Sequence, residues 1–128
     1  MNSIVLDASA LLAVLNREPG AEKLTPELLS GAVSSTVNLA EVHSKLVARG
    51  LSPEEAWEAA VSPIREAIAF TAEHAKSAGS LITQTRALGL SLGDRACLAV
   101  GLALRAPVYT ADKSWRSLRV GVRIQIIR

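Results

Sequence analysis

Short aliphatic runs alternate with longer stretches of helical periodicity, and this alternation restricts the folds open to the chain more than any other feature. Ile4-Val5-Leu6, Ala32-Val33-Ser34-Ser35-Thr36-Val37 and Pro107-Val108-Tyr109-Thr110 read as strands. A short strand is expected around Ile68 and a last, edge-like one over 120–127. Ser9 has the character of an N-cap before the helical run Ala10 to Leu15, which Pro19-Gly20 breaks. Glu22 to Leu29 forms a further short helix, and Leu39, Val42, Leu46 and Val47 recur at helical spacing up to a stop at Gly50. Ser52-Pro53-Glu54-Glu55 begins a helix running to about Val61, with Trp57 on its apolar face. Another helix starts at Thr71 or Ala72 and reaches Thr85, and Leu92 to Leu104 has almost no polar face, as expected of a helix buried on a sheet. Strands separated by helices in this order predict an α/β domain with a central, mainly parallel sheet.

At 128 residues the chain is expected to form a single domain spanning 1–128. It is 49% hydrophobic but only 3% aromatic, so its core must be built from Ala, Leu, Val and Ile. A net charge of +2 beside so many aliphatics excludes a disordered chain. No apolar run is long enough to span a bilayer and no secretion signal opens the sequence, so a soluble, cytoplasmic protein without membrane contact is expected. Cys97 is the only cysteine, which excludes an internal disulfide; it lies among helical apolar residues and reads as a buried thiol. There is no phosphate-binding glycine loop, no dinucleotide fingerprint and no paired-cysteine zinc pattern. Aromatic residues are too few for base-stacking platforms.

The chain has three aspartates, Asp7, Asp94 and Asp112, each read at a strand-to-helix junction. Glu41, just after the second strand, adds a fourth acid at a similar junction. In parallel sheets ligands bind beyond the carboxyl ends of the strands, where these acids are expected to converge. Grouped carboxylates repel one another unless a cation compensates, and an all-oxygen set suits Mg²⁺ or Mn²⁺ better than zinc. An acid cluster of this kind, with a metal and basic residues nearby, fits phosphodiester hydrolysis by an activated water, with no side-chain nucleophile. Ser9 and Thr110 stand near the acids as supporting hydroxyls, and no histidine lies in a motif to activate Ser9. Each acid also has a local explanation: Ser91-x-x-Asp94 and Asn38-x-x-Glu41 have capping-box spacing, and Asp7 and Asp112 can cap the turns that follow them.

Basic residues are unevenly spread. After Asp112 the chain carries Lys113, Arg116, Arg119, Arg123 and Arg128 with no acid among them. Lys113, Arg116 and Arg119 are candidate contacts to a phosphate backbone or to an acidic protein partner.

Four motifs in order resemble the PIN-domain ribonucleases, and more closely the VapC toxins of toxin–antitoxin pairs. They are Val5-Leu6-Asp7-Ala8-Ser9-Ala10-Leu11-Leu12, Asn38-Leu39-Ala40-Glu41-Val42, Leu90-Ser91-Leu92-Gly93-Asp94-Arg95-Ala96-Cys97-Leu98-Ala99 and Val108-Tyr109-Thr110-Ala111-Asp112-Lys113-Ser114-Trp115. The resemblance implies a PIN-like α/β/α sandwich, an acidic quartet at Asp7, Glu41, Asp94 and Asp112, and Mg²⁺- or Mn²⁺-dependent endonucleolytic cleavage of RNA. It implies a homodimer inhibited by a small VapB-type antitoxin whose C-terminal segment crosses the active-site groove, and DNA contact only through that antitoxin. Segments 22–30 and 38–62 would supply apolar contacts for it, or else complete the core.

Two other classes compete. One is a metal-dependent phosphohydrolase acting on small substrates; its nucleophilic-aspartate kind needs a second aspartate two residues after the first, and Ser9 occupies that place. A non-catalytic protein-binding module would use the acids only as helix caps.

Overall fold

The computed structural model describes residues 2–128. Five short strands, β1 (Ile4–Leu6), β2 (Ala32–Ser35), β3 (Glu66–Ile68), β4 (Val108–Thr110) and β5 (Ile124–Ile126), form one sheet in the order β3-β2-β1-β4-β5. Every pairing is parallel. Parallel neighbours require crossover connections, and helices supply them. These are α1 (Ala8–Asn16), α2 (Pro26–Leu29), α3 (Thr36–Ala48), α4 (Pro53–Val61), α5 (Ala72–Ser80), α6 (Ile82–Thr85) and α7 (Leu92–Leu104).

The alternation of side chains along β1 divides the core into two layers. Ile4 and Leu6 join Leu11 of α1, Leu39 and Val42 of α3, and Ala56 and Ala60 of α4 on one face. Val5 faces the other way, with Val33, Val108 and the α7 residues Cys97, Leu98 and Val100. The result is the α/β/α sandwich, with β1 and β2 buried along their whole length. Among the described residues no helix is long and apolar enough to cross a membrane.

Several elements differ from their sequence reading for local reasons. The N-cap of α1 is Asp7, whose carboxylate accepts from the Ala10 amide at 2.8 Å; Ser9 lies inside the helix. β2 ends two residues early because the Ser35 hydroxyl accepts from Val37 N–H at 3.1 Å and starts α3 at Thr36. The segment expected as one helix over 22–29 divides into a 3-10 turn, Ala21–Lys23, and α2, which Thr25 caps with Pro26 at its first position. The helix from Thr71 breaks after Ser80 into α5 and α6. Asp94 follows no strand: a 3-10 turn, Arg86–Leu88, leads through Gly89 into α7. The last strand is confined to Ile124–Ile126. Trp57, expected on an apolar face, is 43% exposed and stands edge-on to His43 with ring centroids 6.0 Å apart. The bounds of α4 and α7 agree with the sequence reading, and each starts in a full capping box.

Candidate active site

The parallel sheet brings the ends of β1 and β4 side by side, and the chain leaves both through an aspartate. The Asp7 amide bonds the Tyr109 carbonyl at 3.2 Å, which ties the two exits together. Asp7 is 3% exposed. Its Oδ1 accepts from Ala10 N–H and from the Ser9 hydroxyl, both at 2.8 Å, and its Oδ2 accepts from the Thr110 hydroxyl at 2.6 Å. Ser9 Oγ in turn accepts from Ala111 N–H at 2.9 Å, and Thr110 Oγ1 from Asp112 N–H at 3.0 Å. Each hydroxyl thus gives its proton to Asp7 and receives one from the β4 exit. The two hydroxyl oxygens, 3.2 Å apart, act as a brace between both aspartates.

Burial raises the Asp7 pKa to about 6 from an ordinary 3.8, against the lowering effect of Thr110, Ala10 and Ser9, and the charge of Asp94 raises it further. The strand ends therefore hold a carboxylate that ionises at the cost of desolvation.

Glu41 comes from the second turn of α3. Asn38, one turn earlier and 1% exposed, donates from Nδ2 to Glu41 Oε1 at 2.9 Å and to the Gly93 carbonyl at 3.0 Å. Asn38 is accordingly no cap, since Ser35 already fills that role; it is a clamp between α3 and the start of α7. Asp94 sits in the first turn of α7, where its Oδ2 accepts from Ser91 N–H at 2.9 Å. Asp112 Oδ1 accepts from the Ser114 amide at 2.9 Å and hydroxyl at 2.7 Å, capping the 3-10 turn Lys113–Ser117.

All four acids and Ser9 line one cleft of about 360 Å³. Thr110 is fully buried behind it. Cys97, buried in α7, has its thiol pushed well above the ordinary value by burial and by the charges of Asp7, Asp94 and Glu41, so three of the acids act on one point. Lys45, Arg49 and Arg128 also line the cleft, and the last of these pairs with Glu18. Sequence reading missed Lys45 and Arg49 here, although Lys45 follows Glu41 by four residues on α3 and Arg49, four further on, caps the end of that helix. It also missed Asn38 as a positioning group. Lys113, Arg116 and Arg119 lie outside this cleft; the two arginines line a separate one beside β5.

The chemistry of the donor set fits a hard cation. The cleft offers carboxylate and hydroxyl oxygens, while His43 is engaged with the Pro53 carbonyl at 2.9 Å and Cys97 is buried. In Glu41, Asp94 and Asp112 a protein donor holds one carboxylate oxygen, and the other has no such partner among the described residues. Among the described residues no three His, Cys, Asp or Glu side chains are arranged to hold one ion by themselves. A hard cation such as Mg²⁺ takes only one or two carboxylates directly and keeps several of its waters.

Comparison with known proteins agrees with this fold. Residues 4–120 match the family model of the PIN domain. Among solved structures, VapBC from Salmonella typhimurium bound to DNA aligns with TM-score 0.77 at 16% identity, over 100% of both chains. VapBC2 from Rickettsia felis, bound to a DNA fragment from its promoter, aligns with TM-score 0.74 at 19% identity over 98% of each chain. VapC20 from Mycobacterium tuberculosis, described as a toxin cleaving the sarcin-ricin loop, aligns with TM-score 0.71 at 23% identity, over 94% of this chain and 99% of that one. No curated protein matches the sequence.

Proposed function

This chain belongs to the PIN domain family, and on that premise we propose that it is a VapC-type toxin acting as a Mg²⁺- or Mn²⁺-dependent endoribonuclease. The observation that supports this reading best is the meeting of Asp7, Glu41, Asp94 and Asp112 in one cleft at the ends of β1 and β4. We assign these four residues as the metal-holding, catalytic set and Ser9 and Thr110 as their support.

When bound, Mg²⁺ or Mn²⁺ supplies Lewis acidity, easing deprotonation of the attacking water and offsetting charge on the phosphate and leaving oxygens. The protein's part is orientation. Thr110 and Ser9 fix both oxygens of Asp7, Asn38 fixes one oxygen of Glu41, and the Ser91 amide fixes one oxygen of Asp94. Lys45 and Arg49 place positive charge at the cleft, where a phosphodiester must approach four carboxylates.

Around this site we assign a single PIN domain over 1–128, a homodimer in the cytoplasm, and a VapB-type antitoxin through which alone the complex meets DNA. Lys113, Arg116 and Arg119 are assigned to contacts with RNA or with the antitoxin. The VapBC complexes among the structural neighbours support the partner.

A second reading has its own support, because Asp7, Asp94 and Asp112 each accept a backbone amide at the start of a helix or turn. Under it the acids are caps in a protein-binding module. The deciding experiment incubates wild type and Asp94→Asn with total cellular RNA, with Mn²⁺ or Mg²⁺ or with EDTA, and maps the new ends. Discrete ends made only by wild type with metal are expected. Full cleavage by metal-saturated Asp94→Asn would remove Asp94 from the set and with it this assignment.

A further inference from the structure

Of the basic residues after Asp112, Arg128 lines the acid cleft, and Arg116, Arg119 and Arg123 do not. Asp112 caps the 3-10 turn Lys113–Ser117 at its start, and Trp115 and Arg116 of the same turn line a second cleft of about 700 Å³. Arg119 and Arg123 line it too, together with Ile124 and Ile126 of β5. A 3-10 turn advances about 2 Å per residue, so Arg116 follows Asp112 by on the order of 8 Å along the turn. One short element therefore has the acid cleft at one end and this second cleft at the other.

No carboxylate lines the second cleft, and none of its three arginines forms an ion pair among the described residues. Arg119 is folded back on the loop, donating from Nη1 to the carbonyls of Arg116 and Leu118 at 3.1 and 3.0 Å. That fixes its guanidinium while leaving further donors uncommitted. Trp115 is 1% exposed, and its indole N–H has no partner among the described residues. Three guanidinium groups without a carboxylate partner at one cleft suit an anion, and the guanidinium fork matches phosphate oxygens.

We propose, building on the nuclease reading of the acid cleft, that the cleft between this turn and β5 holds the phosphate backbone of the RNA strand flanking the bond to be cut. Four carboxylates around the scissile phosphate repel the rest of the strand. Lys45, Arg49 and Arg128 offset part of this repulsion inside the acid cleft, and the capped turn leads to further positive charge outside it. With no aromatic stacking platform in the cleft apart from the buried Trp115, the grip rests on phosphates.

The test measures binding of a labelled single-stranded RNA to the full chain in EDTA, where cleavage does not interfere, across a series of salt concentrations. Wild type is compared with Arg116→Ala/Arg119→Ala/Arg123→Ala. Loss of three phosphate contacts on a single strand should flatten the slope of log affinity against log salt by about 2. The triple lysine variant, which keeps the charge and loses the fork, should restore most of the slope; it also serves if the alanine variant folds poorly. Equal slopes for wild type and the alanine variant would overturn the proposal. So would unchanged RNA binding with loss of binding to a glutamate-rich peptide, which would assign the cleft to an acidic protein segment. Absence of metal-dependent cleavage by wild type would count against the nuclease reading separately, because the slopes are read without metal.

Discussion

Gly93 is the floor beneath the Glu41 carboxylate: a β-carbon built on it would stand 2.7 Å from Glu41 Cδ. Alanine in an exposed helix normally gains about 1 kcal/mol over glycine. Here the added methyl meets the end of a flexible side chain, which can swing away at little cost to folding. Gly93→Ala should therefore melt near the wild-type temperature and lose Mn²⁺ affinity by roughly tenfold, as changes behind metal ligands commonly do. Isothermal titration with Mn²⁺ checks this, and an unchanged affinity would mean that the Glu41 position does not matter to the metal.

Asn38 holds the other side of the same carboxylate. Asn38→Ala removes the donor to Glu41 Oε1 and the link to the Gly93 carbonyl. A cost of about 1–3 kcal/mol in stability is expected from the buried hydrogen bonds lost. Loss of cleavage should exceed what partial unfolding explains, and saturating Mn²⁺ should restore part of it. No response to Mn²⁺ would make Asn38 a purely structural clamp.

The fold was legible where one local signal was complete. Ser91 and Ser52 open full capping boxes, and α7 and α4 have the expected bounds. The short aliphatic strands gave the parallel sheet, and Asp7 and Asp112 lie just past the ends of β1 and β4, whereas Glu41 stands inside α3 and Asp94 follows no strand. Asn38 and Trp57 were misread because their roles depend on neighbours distant in sequence or on another cap nearby: Gly93 lies 55 residues from Asn38, and Ser35 pre-empts it as cap. Arg128 reaches the cleft only because the chain end returns to Glu18, a pairing across 110 residues that no periodicity encodes.

Capping and metal holding can be separated at the start of α7. The Ser91 hydroxyl accepts from Asp94 N–H at 3.1 Å, so Ser91→Ala removes that part of the box while sparing the Asp94 carboxylate. It should cost about 1 kcal/mol in a denaturant melt and leave cleavage within a few-fold of wild type. Asp94→Asn should show the reverse, a melt close to wild type with no cleavage. Equal damage to both properties in both variants would return Asp94 to the role of a cap alone.

Asp7 makes the metal-free protein sensitive to pH. Its folded pKa of about 6 exceeds the ordinary 3.8, so between those values the folded chain binds more protons than the unfolded one. The Asp7 contribution to stability is thus most favourable below 3.8 and is lost as pH rises through about 6. At neutral pH the buried charge costs on the order of 3 kcal/mol. Asp7→Asn should flatten this part of the profile and raise the midpoint of urea unfolding in EDTA near neutrality. Parallel profiles for the two proteins would show that Asp7 ionises without that cost.

Thr110 tests the same carboxylate from behind. Its hydroxyl donates to Asp7 Oδ2 at 2.6 Å and is the foremost of the groups holding the Asp7 pKa down. Valine keeps the branched shape that β4 needs and removes both this donor and the acceptor for Asp112 N–H. Asp7 should then ionise at higher pH, by about one unit if the lost bond is an ordinary one to a charged group. Since a metal must displace that proton, the acid limb of Mn²⁺ binding should move to higher pH in Thr110→Val and return in Thr110→Ser. A uniform drop in affinity at every pH, with the limb in place, would instead assign Thr110 to the geometry of Asp112 rather than to the ionisation of Asp7.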